Sequence, residues 1–224
     1  MATVEEVVAR YPVQPFKFER DTKAAMSACS FAIIGSSKSG KTTFLKYLLK
    51  QVFADDLKVF MTQSPQAMIY KNIKKETVFC PEFIPEIIKE CYEINKGTNN
   101  KYPFAIIIDD VADVRAKNHR QMTKLLCLYR NSNMSAIVCG QDAFLLNANG
   151  RANVNYVVLG YQNTDNRCED NIKIYLRSYF PRSLSIEEKI DLYKRLTADH
   201  HFLLINNLEG TLTRFKLKAH QILD

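Results

Sequence analysis

Short, continuous apolar runs alternate with segments of helical periodicity along the first 160 residues. The apolar runs, each of strand length, fall at residues 30–34, 57–61, 104–108, 135–139 and 154–159. Apolar residues spaced three or four positions apart predict helices between these runs, at residues 41–53, 84–95 and 116–130. Because apolar runs without alternation are typical of strands covered on both faces, the pattern predicts a three-layer α/β fold. Its central sheet is expected to be mainly parallel, with right-handed crossovers.

The last part of the sequence combines two predicted helices with two further strand-like runs. The helices are expected at residues 166–179 and 185–196, and the second opens with Ser185 and Glu188 at the spacing of a capping box. The strand-like runs at 201–205 and 211–217 flank the polar sequence NNLEG, which is typical of a turn. We therefore predict a C-terminal β-hairpin.

Composition restricts the class of protein without naming a function. Of 224 residues, 46% are apolar and 25% are charged, which excludes a disordered or fibrous chain. Lysine and arginine number 31 against 24 acidic residues, and the net charge of +7 permits a polyanionic partner without requiring one. Six cysteines without zinc-finger spacing predict buried, reduced thiols, as at Cys29 and Cys139. Since neither a secretory signal nor a membrane-spanning run is visible, we expect a soluble protein of a reducing compartment with no membrane span.

The strongest chemical signal is a glycine-rich loop between the first predicted strand and the first predicted helix. It matches G-x-x-x-x-G-K-[ST] in full and comprises Gly35, Ser36, Ser37, Lys38, Ser39, Gly40, Lys41 and Thr42. Glycine permits backbone angles that let successive amides point at phosphate oxygens, and the start of the helix attracts the same anion. Lys41 is expected to reach the β- and γ-phosphates, the Thr42 hydroxyl to bind Mg²⁺, and Thr43 to lie near the α-phosphate. The sequence thus predicts a P-loop that binds a nucleoside triphosphate.

Two carboxylates follow the apolar run at residues 104–108. Asp109 and Asp110 stand where that strand ends, and in a P-loop fold this end of the sheet faces the nucleotide. A solvated turn would also accommodate an Asp-Asp pair, but buried carboxylates beside a P-loop need a cation or a proton. We predict that Asp109 binds Mg²⁺ through water and that Asp110 orients or deprotonates the attacking water.

A second acid after the first marks the P-loop class in which an extra strand lies between the P-loop strand and the acidic strand. The next predicted strand, at residues 135–139, is followed by Gly140 and Gln141. Gln141 is therefore expected at the γ-phosphate, where an amide can donate to phosphate and accept from water without a change of charge. A loop glutamine without a role is the competing interpretation.

Taken together, these motifs resemble those of the poxvirus-type genome-packaging ATPases of large DNA viruses and virophages, which belong to the FtsK–HerA superfamily. The resemblance covers about residues 30–155 and includes the sequence YRNSNMS at residues 129–135, which leads into the strand that ends before Gln141. Lys38 departs from the pattern, since these ATPases usually have a small residue there.

The resemblance implies a motor that hydrolyses ATP, with Mg²⁺, to translocate double-stranded DNA into a preformed capsid. It implies a homo-oligomeric ring whose partners are double-stranded DNA of any sequence and capsid or portal-site proteins. The implied location is the viral factory in the host cytoplasm or the virion. The chain is then one P-loop ATPase domain, with an N-terminal extension (1–28), a nucleotide-binding core (29–160), and C-terminal helices and hairpin (161–224).

A ring motor implies an arginine that acts in trans at the neighbour's γ-phosphate, because a fixed cation stabilises transition-state charge. Arg130, which precedes the strand ending at Gln141, is the first candidate for this arginine finger. Arg151 is the second. For each of them, a surface salt bridge is the competing interpretation.

Basic residues are concentrated between residues 114 and 131, a stretch without any acidic residue. On a helix, Lys117, Arg120 and Lys124 fall opposite an apolar stripe, which consists of Met122, Leu125, Leu126 and Tyr129. This basic face suits either the phosphate backbone of DNA or plain solvation. A second basic group, with less specific spacing, consists of Lys71, Lys74 and Lys75.

Other classes of P-loop protein remain as alternatives. A nucleotide or small-molecule kinase would need a substrate pocket and an arginine-rich lid, which residues 142–167 do not resemble. A GTPase is disfavoured because the sequence NKGT at residues 95–98 matches the guanine-specificity motif N-K-x-D only in part. A nucleotide-gated assembly protein would not need Asp110 and Gln141 to orient water.

Overall fold

The computed structural model describes residues 4–18, 20, 28–63, 70, 73, 77–110, 118–142, 145–162 and 166–218, with the backbone alone for 166–171. The strands of this part are β1 (Val13–Pro15), β2 (Ser30–Ile34), β3 (Leu57–Thr62), β4 (Thr77–Cys80), β5 (Phe104–Asp109), β6 (Met134–Gly140), β7 (Tyr156–Leu159), β8 (Phe202–Asn206) and β9 (Thr211–Lys216). The helices are α1 (Val4–Ala9), α2 (Lys41–Gln51), α3 (Pro85–Gly97), α4 (Arg120–Cys127), α5 (Ala148–Asn153), α6 (Asn166–Tyr179) and α7 (Ile186–Thr197).

All of these strands belong to one sheet, in the order β1-β9-β8-β7-β2-β6-β5-β3-β4. The six neighbours from β7 to β4 run parallel, whereas β8 and β9 form an antiparallel hairpin that adds to β7. β1 completes the sheet by pairing in parallel with β9. The predicted α/β class, mainly parallel sheet and C-terminal hairpin are confirmed.

Two hydrophobic clusters cover the two faces of the sheet. In β2, Ala32 and Ile34 join a cluster with α1, α3, α4, α6 and α7, while Phe31 and Ile33 join a second cluster with α2. Every residue of β2 is buried, as expected for a central strand covered on both faces. The result is three layers, with α2 and the residues beside it on one face of the sheet and α1, α3, α4, α6 and α7 on the opposite face.

The short elements α1, β1, β4 and α5 are not predicted by the sequence. They have only three to six residues each. All three residues of β1 are exposed, and β4 exposes Val78 and Phe79. Such segments do not show the regular alternation of apolar and polar residues from which strands and helices are predicted. The capping box of α7 is confirmed, because Ser185 and Glu188 exchange both hydrogen bonds.

The helix predicted at residues 116–130 ends early. α4 stops at Cys127 and is followed by a 3₁₀ turn at Tyr129–Ser132, while residues 116 and 117 lie outside the described part. Buried Asn95 of α3 donates to the carbonyl oxygen of Ser132, and Asn133 adopts a left-handed φ of 53°. The turn after α4 is therefore held by a contact from α3. Local periodicity does not reveal such a contact. Within the described residues, no helix is long and apolar enough to cross a membrane.

Candidate active site

The P-loop joins the end of β2 to the first turn of α2. β2 ends at Ile34 and α2 begins at Lys41, so the strand–loop–helix context of the motif is confirmed. A Cβ atom at Gly35 would lie 2.5 Å from the Oγ atom of Ser39, and Gly40 has a φ of 95°, so both positions favour glycine. The first amides of α2 lack partners within the helix and are available to an anion at the helix start.

Lys38 adopts a left-handed backbone, with a φ of 64°, and its side chain is exposed. A residue with a Cβ atom loses roughly 1–2 kcal/mol in this conformation. This backbone conformation favours glycine at position 38. In this chain Lys38 instead adds a second positive charge beside Lys41.

Lys41 folds back over its own loop. Its Nζ atom donates to the carbonyl oxygens of Gly35, at 2.6 Å, and Ser36, at 2.8 Å. Burial lowers the pKa of Lys41, whereas Cys139, Asp110 and Asp109 act to raise it. The ammonium group thus lies between the loop and the acidic pair, where the motif predicts phosphate.

The two neighbouring aspartates occupy different environments. Asp109 ends β5 and is 7% exposed, and burial raises its pKa, although hydrogen bonds from Cys139 and Tyr70 act in the opposite direction. Asp110 has a left-handed φ of 51°, and its side chain is exposed. Its amide donates to the carbonyl oxygen of Cys139 at 2.9 Å, which anchors this turn to β6. One carboxylate is therefore held in the protein and the other is open to water.

Tyr70 connects the loop to the acidic strand and was not singled out by the sequence. Its hydroxyl donates to Oδ2 of Asp109 at 3.2 Å and also hydrogen-bonds the Thr42 side chain. Burial is the largest cause that raises the pKa of Tyr70, so the phenol remains a neutral donor. Because both side chains interact with one hydroxyl, Thr42 and Asp109 lie close to each other. This pair of oxygen donors fits Mg²⁺.

Gln141 lies between the loop and the acids, as predicted. β6 pairs with β2 on one side and with β5 on the other, so its end is flanked by Gly35 and by Asp109. The Gln141 side chain is exposed and faces the same cleft. The predicted strand order, with an extra strand between the P-loop strand and the acidic strand, is confirmed.

These groups line a cleft of about 610 Å³, which we call the nucleotide cleft. The predicted residues that line it are Ser37, Lys38, Gly40, Lys41, Thr42, Thr43, Asp109, Asp110 and Gln141. Ser36 and Ser39 are buried behind the loop. The hairpin region adds four residues that sequence reasoning missed: His200, Phe202, Lys216 and Leu217. The hairpin itself was predictable, but its position beside β7 depends on tertiary packing.

The two arginine-finger candidates do not line this cleft. Arg130 is half-buried in the 3₁₀ turn before β6, whereas Gln141 follows the other end of this strand. The length of β6 separates the two residues by about 20 Å. Arg151 lies in α5 and donates to the carbonyl oxygen of Leu146 at 2.6 Å. Neither lines the nucleotide cleft of its own subunit. A role in trans stays a prediction for both.

The basic face is described only in part. Arg120 is exposed and Lys124 is half-buried on α4, whereas Lys117 lies outside the described residues, as do Lys71, Lys74 and Lys75. The opposite stripe is buried as predicted and consists of Met122, Leu125, Leu126 and Tyr129. α4 therefore presents basic side chains away from its apolar contact with the sheet.

Solved structures with a similar fold include viral packaging ATPases. The DNA-packaging ATPase B204 from Sulfolobus turreted icosahedral virus has a TM-score of 0.62 and 15% identity, covering 85% of this chain and 98% of that chain. The genome packaging NTPase B204 from Sulfolobus turreted icosahedral virus 2, in complex with AMP, has a TM-score of 0.60 and 16% identity, again covering 85% of this chain and 98% of that chain. The pCW3 conjugation coupling protein TcpA, with ATPgS, has a TM-score of 0.59 and 13% identity over 84% of this chain and 60% of that chain. At these identities the likeness establishes the fold.

Sequence comparison adds the family. No curated protein matches this chain significantly. The family model described as Poxvirus A32 protein matches residues 16–178, which include the P-loop, the acidic pair and Gln141. Because this match spans well over half of the sequence, the chain belongs to the poxvirus A32 protein family, and the predicted resemblance to poxvirus-type genome-packaging ATPases is confirmed.

Proposed function

We propose that this protein is an ATP-hydrolysing motor that translocates double-stranded viral DNA into a capsid. The observation that carries the proposal is the order β2-β6-β5, which brings the P-loop, Gln141 and the acidic pair to one cleft. A protein that only binds nucleotide needs the P-loop alone, whereas a water-orienting acid and amide serve hydrolysis. Family membership and the packaging ATPases of similar fold support the assignment to genome packaging.

Nucleotide binding begins at the P-loop. The amides at the start of α2 receive the phosphates, and Lys41 exchanges the carbonyl oxygens of Gly35 and Ser36 for β- and γ-phosphate oxygens. Thr43 lies near the α-phosphate, and the nucleoside extends toward the hairpin residues Phe202 and Lys216. Thr42 and Asp109, the latter through water, would hold Mg²⁺, and the ion would supply positive charge to neutralise the phosphates.

Hydrolysis then depends on the exposed acid and the amide. Asp110 orients the attacking water and accepts its proton, while the Gln141 side chain accepts from the water and donates to the γ-phosphate. The water oxygen bonds to the γ-phosphorus as the bond to the β-phosphate oxygen breaks. Because Asp110 is exposed, it returns the proton to solvent directly.

The motor acts as a homo-oligomeric ring around DNA and meets capsid or portal-site proteins in the viral factory or the virion. The protein contacts the phosphate backbone of DNA. Among the residues that the structure describes, the candidates for these contacts are Arg120 and Lys124 of α4. Such contacts are independent of sequence and weaken as salt rises.

The test is ATP turnover with and without duplex DNA across a salt series. We expect DNA to stimulate turnover, and stimulation to fade with rising salt because bound counterions are no longer released favourably. Arg120→Ala should reduce the stimulation and its salt dependence, while Lys89→Ala, which removes an exposed lysine of α3, is the matched control. Phosphoryl transfer to an added nucleoside, independent of DNA, would establish a kinase and refute the motor.

A further inference from the structure

Residues 160–162 extend β7 along the P-loop. β7 pairs with β2 as far as Ile34, and the pairing continues beyond both strands. The amide of Gly160 donates to the carbonyl oxygen of Ile34 at 2.7 Å, and the amide of Ser36 donates to that of Tyr161 at 2.8 Å. From α7, the Tyr193 hydroxyl donates to the carbonyl oxygen of Gly160. The first residues of the P-loop are therefore fixed to the segment that follows β7.

The side chain of Gln162 extends this connection to Gln141. Ser36 Oγ donates to Oε1 of Gln162 at 3.1 Å, and Nε2 of Gln162 donates to the main-chain oxygen of Gln141 at 3.1 Å. The carbonyl of Gln141 can only accept, so the amide nitrogen of Gln162 must face it. Both ends of one amide group are thus used, one at the P-loop and one at Gln141.

This link joins strands that are not neighbours. β6 and β7 lie on opposite sides of β2, so the Gln162 side chain crosses the end of the P-loop strand to reach Gln141. Gln162 is 3% exposed and Ser36 is 6% exposed, which keeps water from replacing either hydrogen bond. A buried amide is costly unless both its donor and its acceptor are satisfied, and here they are satisfied by the two segments that hydrolysis requires.

We infer that Gln162 is a positioning residue that couples the P-loop at Ser36 to the position of Gln141 in the nucleotide cleft. The inference rests on the proposed ATP hydrolysis. A shift of Ser36 when phosphate enters the loop is transmitted through one side chain to the main chain of Gln141. Gln162 itself does not line the cleft and acts through Gln141.

The experiment compares wild type, Gln162→Met, Gln141→Ala and the double variant in single-turnover hydrolysis. Methionine keeps the length and volume of glutamine but loses both hydrogen bonds, so we expect an about tenfold slower rate. The dissociation constant of a fluorescent ATP analogue should change less than about threefold, because the phosphate-binding groups remain. In the Gln141→Ala background, the same substitution should cost less than about twofold, since coupled residues are not additive.

The matched control is Gln121→Met. Gln121 of α4 accepts a hydrogen bond from the Tyr129 hydroxyl at 2.8 Å, outside the cleft, so the same substitution there should leave the rate unchanged. Full additivity of Gln141→Ala and Gln162→Met, or an unchanged rate in Gln162→Met, would overturn the coupling. If wild type hydrolyses no more ATP than Lys41→Ala, the proposed function fails as well, which separates the two outcomes.

A second measurement covers the case in which Gln141→Ala is too slow to compare. Hydrogen exchange at residues 140–142 is recorded with and without a non-hydrolysable ATP analogue. We expect the analogue to protect these amides in wild type and in Gln121→Met, and to leave them unprotected in Gln162→Met. Equal protection in all three proteins would refute the inference.

Discussion

Asp109 and Asp110 are adjacent in sequence, yet the protein gives them opposite environments. Burial raises the pKa of Asp109, and the donors Tyr70 and Cys139 partly offset this effect. Asp110 turns outward through a left-handed φ. This difference fits the proposed roles, in which buried Asp109 binds a cation and exposed Asp110 orients the attacking water. In the proposed mechanism, the Tyr70 hydroxyl, shared between Asp109 and Thr42, supports the first of these roles.

Tyr70→Phe should raise the Mg²⁺ concentration that half-saturates ATP hydrolysis by about tenfold, as is usual when a partner of a metal ligand is removed. Phenylalanine keeps the ring contact with Phe60, whose centroid lies 4.4 Å away, so the fold should persist. Tyr92→Phe, at a tyrosine stacked on Tyr129 outside the cleft, is the control. An unchanged Mg²⁺ requirement in Tyr70→Phe would contradict this role.

The β8–β9 hairpin connects the sheet to the cleft at the scale of whole elements. It adds two antiparallel strands to β7, and the ring of Phe202 packs against Phe44 of α2 at 5.6 Å between centroids. This packing carries Lys216, the last residue of β9, to the rim of the nucleotide cleft. The hairpin therefore closes the side of the cleft that the P-loop leaves open.

Lys216→Ala should weaken ATP binding by about three- to fivefold, because an exposed cation contributes up to about 1 kcal/mol to an ion pair. The effect should shrink at high salt, and the thermal midpoint should stay unchanged since the side chain is exposed. Fluorescence titration at two salt concentrations measures it, with Lys89→Ala as the control. Equal affinities for wild type and Lys216→Ala at low salt would exclude a contact with the nucleotide.

The proposed ring requires groups that one subunit cannot bring to its own cleft. Arg130 and Gln141 lie at opposite ends of β6, so the Arg130 side chain cannot reach the cleft of its own subunit. Any role at a γ-phosphate must therefore involve a neighbouring subunit. Binding to DNA also favours the proposed ring, because several α4 helices together would contact more phosphates than a single one.

Arg130→Ala should bind ATP with wild-type affinity and lose turnover by at least about a hundredfold, as expected for a missing arginine finger. Mixing it with Lys41→Ala should restore part of the activity, because interfaces then form in which an intact arginine meets an intact P-loop. Arg151→Ala, the second candidate, is tested in parallel. If mixing restores nothing at any ratio, Arg130 does not act in trans.

Much of the fold follows from local pattern. The central strands were predictable because each is a continuous apolar run, and the P-loop because its glycines and Lys41 lie within eight residues. The second acid, Asp110, also predicted the strand order that places Gln141 beside the loop. The short exposed elements β1, β4 and α5 were missed, since they carry no burial period.

The sequence by itself determined the P-loop, the acidic pair, the α/β class and the family, because each follows from short local motifs and from their order along the chain. Only the tertiary structure decided how Tyr70, Gln162 and Lys216 enter the site. Tyr70 is 39 residues from Asp109, and Gln162 is 126 residues from Ser36. Such contacts arise when buried polar groups from distant segments must satisfy one another, and no local period records them. The motif therefore determined the chemistry of the cleft, and packing determined what holds that chemistry in place.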